Sequence, residues 1–466
     1  MRGISCLLNF KENFRNNEPY YQLLAGQICS ANYNPDSQHT CTFKHATLSA
    51  ENEENIETKV SEGYQFTVAF SGHLFSYEDQ KNQLSAHGYQ FLTNNHSELA
   101  LFSYIHYGEK CAERLSGNFS MIIYDSMRRC VFAFLKGNTL PVFYGAFEDF
   151  YIMSSSLKGI FAFPHMPKRL KKDKVLELIS VQNRIPEEIF EGIFMLPENT
   201  VLKISQKGIS KTAISDSPAN HIDLNSFPDR IGLISSGSPQ DTEFLSQVFC
   251  QDPARSVSVY GEKFSDELYD LPVKKQHILI DVGTVSEALK ASVTACGFPF
   301  LSSFDFLLPI SLKQTKGMDE ALYFFEPDRL SSYINYTKTL FENRLFHSAV
   351  EENLHDFQPK SSIFPPYTKI ISDLLGQDVF VPKTNEILQV LRPDYNSQKL
   401  KAVLRRILLD IISKEHSPIF AFFNRSALLR LCEGGFIFHD SESVLELTAY
   451  LIKLNLWFEI FSPSII

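Results

Sequence analysis

From Arg230 to Ile234 the chain is apolar after its first residue. Ser235-Ser236-Gly237-Ser238 are small, and Pro239-Gln240-Asp241-Thr242-Glu243 open a helical pattern. A strand that feeds a Ser/Gly loop into a helix presents backbone N–H groups and a helix dipole to a phosphate. On that reading Ser236, Gly237, Asp241 and Thr242 hold a nucleotide. The same stretch also closes on itself without a ligand. Ser238 suits the N-cap, Pro239 the first helical position, and Asp241 three residues after Ser238 gives a capping-box-like start. Pro239 has no N–H to offer a phosphate. Asp241 and Glu243 already place negative charge in the first turn, where it satisfies the dipole and repels an anion.

Other residues of chemical interest are sparse. Asp319 and Glu320 form an acidic pair of a kind common on helix faces and read as a solvated helix start. Lys401 reads as one more basic residue on a helix. His45 has no ligand partner at a metal-binding spacing and reads as a polar residue at a strand end. Eight cysteines are scattered without a C-x-x-C pair, which suggests neither a disulfide framework nor a zinc site; reduced thiols in a cytoplasmic protein are the expectation.

The elements that must carry these residues belong to a globular chain of 466 residues, 44% hydrophobic and rich in Phe, long enough for two domains. A net charge of −10 gives no electrostatic reason to expect a nucleic-acid or anionic-membrane surface. No apolar run approaches the ~18 residues of a membrane span, and Ile4 to Phe10 reads as a first strand rather than a secretory signal. Tyr64 to Phe70 alternates as a strand, and Ser71-Gly72-His73 reads as a turn. Glu78 to Gly88 and Ser97 to Tyr107 read as helices. Strands follow at 119–124, 130–134, 142–144 and 151–154. Helices paired early and strands packed late suggest two sheets sandwiched by helices. Ser205 to Pro228 is polar and reads as a linker. Beyond it, strands are expected at 257–261 and 277–282, and helices at 286–294, 333–350 and 444–461.

The order and spelling of the first half resemble the glutaminase domain of glutamine-hydrolysing asparagine synthetases. The likeness is carried by Gly88-Tyr89-Gln90-Phe91-Leu92-Thr93, Glu98, Leu115-Ser116-Gly117-Asn118-Phe119-Ser120, Pro141-Val142-Phe143-Tyr144 and Ile189-Phe190-Glu191-Gly192-Ile193 with Leu196-Pro197. The resemblance implies an α+β αββα sandwich of the N-terminal-nucleophile type over residues 1–204, a linker at 205–228, and a shortened α/β synthetase domain of the nucleotide-hydrolase kind at 229–466. It also implies ATP and magnesium as cofactors, held by Ser236, Gly237, Asp241, Thr242 and the Asp319/Glu320 pair, with Lys401 near the adenylate.

The departures fall on the polar positions. Where the family begins Met-Cys-Gly-Ile, with the cysteine as nucleophile, this chain has Met1-Arg2-Gly3-Ile4, and an arginine cannot attack an amide. The family's His-Arg-Arg-Leu-Ser appears as His45-Ala46-Thr47-Leu48-Ser49, without the arginine that would hold the glutamine carboxylate, and the oxyanion-hole turn corresponds to Ser71-Gly72-His73, of which only Gly72 matches. The ammonium-binding aspartate corresponds to His96, with Glu98 kept beside it. Removing one oxyanion donor alone costs roughly 10²–10³ in rate, so no glutaminase is expected. Cys6 could serve only if the chain were cut after Ser5, and it reads instead as a buried strand residue. Two functions follow from the resemblance: a noncatalytic scaffold or subunit with a protein or peptide partner, or an ATP-dependent amide ligase that uses an amine without hydrolysing glutamine.

Overall fold

A computed structural model describes residues 3–29, 38–74, 77–137, 141–171, 174–175, 187–215, 230–234, 256–261, 274–277, 281–297, 299, 320–322, 398–434 and 441–465. The chain divides into two compact units, the first built mainly from residues 1–169 and 186–220, the second mainly from 221–365 and 379–466.

The first unit holds two antiparallel sheets. One contains β1 (Ile4–Leu8), β2 (His39–Thr42), β3 (Ala46–Ala50), β8 (Phe143–Phe147), β9 (Phe150–Ser154), β10 (Glu188–Phe190) and β11 (Ile193–Met195), in the order β10-β11-β8-β9-β1-β3-β2. The other contains β4 (Ile56–Ser61), β5 (Tyr64–Leu74), β6 (Gly117–Asp125), β7 (Cys130–Lys136), β12 (Thr200–Ser205) and β13 (Gly208–Ala213), in the order β13-β12-β7-β6-β5-β4. Strand alternation sorts their side chains into layers. Ile4, Cys6 and Leu8 of β1 meet Ala69 of β5, Ile122 and Tyr124 of β6 and Val131 and Ala133 of β7 in the core between the sheets. The opposite residues of the second sheet, Phe66, Val68, Phe70, Phe119 and Phe132, pack on Leu84 of α2 (Tyr77–Ala86) and on Leu99 and Tyr104 of α3 (His96–Tyr107). The outer face of the first sheet receives α1 (Glu18–Cys29), completing four layers, α, β, β, α, as expected, with the short helices α4 (Cys111–Arg114) and α5 (Leu157–Ile160) in the same unit.

The seat of α1 is small and polar for a physical reason. The last carbonyls of a helix lack intrahelical partners, and here the sheet supplies one: Ser154 Oγ donates to Ile28 O at 2.6 Å, while one turn earlier Ser5 Oγ adds a bond to Ala25 O at 2.8 Å. So close an approach leaves no room for a Cβ at Gly3, which would stand 2.3 Å from Cys29 O, or at Gly159, 2.1 Å from Ile28 O.

The structure corrects several sequence expectations. Ser71-Gly72-His73 is not a turn but the continuation of β5, paired residue for residue with Ser120, Phe119 and Asn118 of β6. Strands β3 and β4 are additional elements. The segment read as a linker from Ser205 starts on the last residue of β12 and holds β13, which pairs with β12 from Ser205↔Gly208 to Thr200↔Ala213, so the first unit extends at least to Ala213. This edge strand looks like a linker because nearly all of it faces water: Ile209 to Ala213 are exposed, and charged edge residues are how sheets avoid further pairing.

In the second unit, β14 (Arg230–Ile234), β15 (Ser256–Gly261), β16 (Lys274–His277) and β17 (Glu320–Leu322) form a parallel sheet ordered β16-β15-β14-β17. The third strand already runs over Lys274–His277, ahead of the start expected at His277, and residues 278–280 lie outside the described ones. The helix expected at 286–294 is α6, Val282–Cys296, started earlier by a capping box between Asp281 and Thr284. Helices α7 (Gln398–Ser413), α8 (Arg425–Glu433) and α9 (Ser441–Phe461) complete the described part. The fully buried Trp457 of α9 donates its indole N–H to Gly297 O at 2.8 Å, fixing α9 to the end of α6. The helix expected at 333–350 lies outside the described residues.

Candidate functional site

At one edge of the sandwich, three segments that the resemblance assigns to glutamine chemistry come together, and the β3–β4 connection joins them. Glu51 N donates to Gly3 O at the start of β1. Asn55 Nδ2 donates to Phe70 O on β5 at 3.1 Å, and Ser97 Oγ of α3 donates to Glu54 O at 2.6 Å. The start of β1, the end of β5 and the amino end of α3 therefore share one polar rim. Thr47 is not part of it. It pairs with Leu7, three residues into β1 from the rim at Ile4↔Ala50, and it is fully buried with its hydroxyl donating to Thr42 Oγ1 at 3.4 Å. At ~3.3 Å per strand residue, that is about 10 Å from the edge.

Glu98 is the best-preserved polar residue of the pattern, and it is wholly committed to structure. Its carboxylate is fully buried and accepts from Lys59 Nζ at 2.7 Å, Thr93 Oγ1 at 2.7 Å, Thr93 N at 2.8 Å and Leu92 N at 3.1 Å. Burial would raise its pKa, but the bonds from Lys59, Thr93 and Leu92 outweigh that and hold it below the ordinary carboxylate range. Lys59 is held above its ordinary value: burial works against its charge, and the bond to Glu98 and the charge of Glu57 prevail. Lys59 also lies 5.2 Å from the centre of the Phe102 ring. This lysine is the main residue that sequence reasoning missed. It comes from β4, 39 residues before its partner, and only its place in a partly buried strand hints at a role.

His96 stands where the resemblance puts an ammonium-binding aspartate. Its Nδ1 accepts the Leu74 backbone N–H at 3.3 Å. The ring is stacked on Phe70 and edge-on to Tyr77, centroids 6.2 and 5.2 Å away. The imidazole thus ties α3 to the end of β5. Gly72 is buried with φ of 131°, a backbone state that side chains resist, so its glycine is required by the strand whether or not an oxyanion is bound.

No thiol is presented at this rim among the described residues. Cys6 is fully buried in mid-strand, opposite Leu48 on one side and Met153 on the other, and burial pushes its pKa far up. Cutting the chain before Cys6 would remove Ile4 and Ser5 from the sheet and from the seat of α1. Cys29 is likewise buried with a raised pKa, its thiol donating to Ser49 O.

In the second unit, Ser236, Gly237, Asp241 and Thr242 lie outside the described residues, as does Asp319. Their anchor is described: they follow the carboxyl end of β14, which is flanked by β15 on one side and β17 on the other. In open parallel sheets such a reversal of strand order is where ligands sit. Glu320 does not lie at that end. It opens a strand rather than a helix and pairs with Ile231, so β14 runs about 10 Å further before it reaches Ile234. Lys401 lies on α7, partly exposed, one residue after the buried Leu400.

The comparisons with known proteins agree with the first unit. The model of the glutamine amidotransferase domain matches residues 37–214. The chain is 27% identical over 179 residues to asparagine synthetase [glutamine-hydrolyzing] 3 of Bacillus subtilis (strain 168), covering 37% of this chain and 29% of that protein. It is 26% identical over 96 residues to asparagine synthetase [glutamine-hydrolyzing] 1 of the same organism, covering 20% and 15%. The chain therefore spans less than a third of the length of these curated relatives. A solved structure of glutamine phosphoribosylpyrophosphate amidotransferase from B. subtilis, complexed with ADP and GMP, covers 85% of this chain and 94% of its own at 12% identity, with a TM-score of only 0.31. Residues 37–214 thus match the glutamine amidotransferase domain, and the curated relatives similar to this chain are asparagine synthetases.

Proposed function

We propose that this chain is an asparagine-synthetase-like protein whose glutaminase half does no glutamine chemistry and serves instead as a scaffold or partner subunit. One observation carries the reading: β1, the strand that would present the nucleophile, buries its only cysteine between Leu48 and Met153. The rim supports it, because Glu98 and His96 spend their polar atoms on Lys59, Thr93, Leu92 and Leu74. Incubation with an electrophilic glutamine analogue, read by mass spectrometry of the intact chain, tests this. The expected outcome is an unlabelled protein; stoichiometric labelling at Cys6 would sink the reading.

The strand order of the second unit favours a second reading, an ATP-dependent amide ligase that uses an amine directly. A nucleotide would approach the carboxyl end of β14 and meet Ser236, Gly237, Asp241 and Thr242. The donor set fits a pyrophosphate poorly: Pro239 offers no N–H, Ser238 adds a Cβ, and Asp241 and Glu243 add negative charge. Magnesium held by Asp319 and Glu320 fits no better, since Glu320 begins β17 at the far end of the sheet. Calorimetric titration with Mg-ATP decides between the two. No heat of binding at millimolar nucleotide is expected and would sink the ligase; tight binding abolished by Gly237→Trp would sink the noncatalytic reading.

A further inference from the structure

Away from the rim, two imidazoles meet at a place the reading above leaves unused. Helix α2 ends at Ala86, and its carboxyl end is closed by Gly88, whose φ of 93° lets the amides of Gly88 and Tyr89 turn back to Ser85 O and Leu84 O. Helix α3 ends at Tyr107 and is closed by Gly108, with φ of 61° and its amide on Tyr104 O. His87 and His106 stand just before these two glycines, both exposed, and their ring centres are 4.5 Å apart with the planes inclined by 34°. Tyr89 and Tyr107 meet the His106 ring edge-on, with centres 5.6 and 4.4 Å away. No hydrogen bond or ion pair to a described residue engages either imidazole, so the ring lone pairs of both are open to a ligand.

We propose that His87 and His106 form a two-ligand site for a divalent late transition metal, copper(II) ahead of zinc(II), at the joined carboxyl ends of α2 and α3. The inference goes beyond the reading above and holds whether or not the chain acts on glutamine or ATP. Three features carry it. Neutral imidazole is the commonest metal ligand and suits both metals, with copper the tighter. A metal lies about 2 Å from a ring nitrogen, hence roughly 3.2 Å from the ring centre, so two rings bound at angles between square-planar and tetrahedral have centres roughly 4.5–5.2 Å apart. The separation of His87 and His106, 4.5 Å, falls in that range. Each helix also turns the negative end of its dipole toward this place, which favours a cation. The arginines of the neighbourhood are engaged: Arg114 stands over the Tyr107 ring at 5.9 Å, and Arg128 binds Asp125 at 2.9 Å. Among the described residues no group of three or more His, Cys, Asp or Glu side chains could hold a metal, so the protein supplies two ligands here and water the others.

The test is a titration of the full chain, free of any histidine tag, with copper(II) chloride, followed by calorimetry and electron paramagnetic resonance. One equivalent of copper held through two nitrogens is expected. Its affinity should fall roughly 10²-fold in His87→Ala and in His106→Ala, because each variant leaves one ligand where two acted together. Lowering the pH should weaken binding as well, since protons compete for the imidazoles. His416→Ala, which removes an exposed histidine of the second unit, should leave the affinity as it was. Circular dichroism checks the fold of each variant; if His106→Ala is unfolded, His106→Gln replaces it with the same expectation. Absence of binding at micromolar copper overturns the proposal. So does loss of affinity in only one of the two single variants, or an equivalent of copper bound with unchanged affinity by the folded double variant His87→Ala/His106→Ala.

Discussion

The interior of the sandwich and its rim hold together by different means. Between the sheets, Ile4, Cys6, Leu48, Ala69 and Ile122 contribute shape and apolar area, and one hydrophobic residue of suitable volume can stand for another. At the rim, particular polar atoms are matched to particular partners, and Glu98 alone receives hydrogen bonds from Lys59, Leu92 and Thr93. A fold can therefore be kept by pattern while a reaction centre is kept only by identity. This is how residues 37–214 can match the glutamine amidotransferase domain while, on the proposed reading, the residues that would act on glutamine are replaced.

The largest contrast is expected at Glu98. Glu98→Ala leaves Lys59 and two backbone N–H groups without their acceptor, and should cost about 3 kcal/mol in urea unfolding of the first unit, since removing one partner of a buried pair is costly. The same residue sets an acid limb. Its folded pKa lies below its unfolded value, so its contribution is fully present above the unfolded pKa of about 4.3 and is lost as the pH falls through the folded value. A stability profile of Glu98→Ala should be flatter below pH 5 than that of the native chain, and an unchanged limb would count against the role given to the carboxylate.

Next comes the seat of α1. Gly159→Ala drives a Cβ against Ile28 O and should cost about 2 kcal/mol, measured in the same way. His96→Ala ranks below it, at about 1 kcal/mol, because it removes one acceptor and one stacked ring. Hydrogen exchange at the Leu74 amide should quicken in that variant; protection equal to the native chain would break the link drawn between α3 and β5. At the bottom stands Lys401→Ala, expected to change stability by less than about 0.5 kcal/mol. A change of 2 kcal/mol or more would give Lys401 a part that its place on α7 does not explain.

The four-layer architecture was readable because alternation at Tyr64 to Phe70 and the glycine-ended helices are local signals. What escaped the sequence was non-local or polar. The strand reaches through Ser71-Gly72-His73 because β6 supplies a partner as far as Gly117, and no nearby residue announces that pairing. The strand at Gly208–Ala213 was hidden by its own exposure, since an edge strand facing water has the composition of a linker. At the site, Glu98 could be singled out at a helix start, whereas Lys59 could not, because the chain must fold before the two meet. Glu320 was misread for a related reason: a carboxylate pair has the same spelling at the start of a strand as at the start of a helix.

The most direct test of the central claim is release of ammonia from glutamine by the full chain, followed beside the Cys6→Ser variant. The account predicts release no faster than the uncatalysed background in both, because the only cysteine of β1 lies buried between two strands. Ammonia release well above background in the native chain and its loss in Cys6→Ser would contradict it.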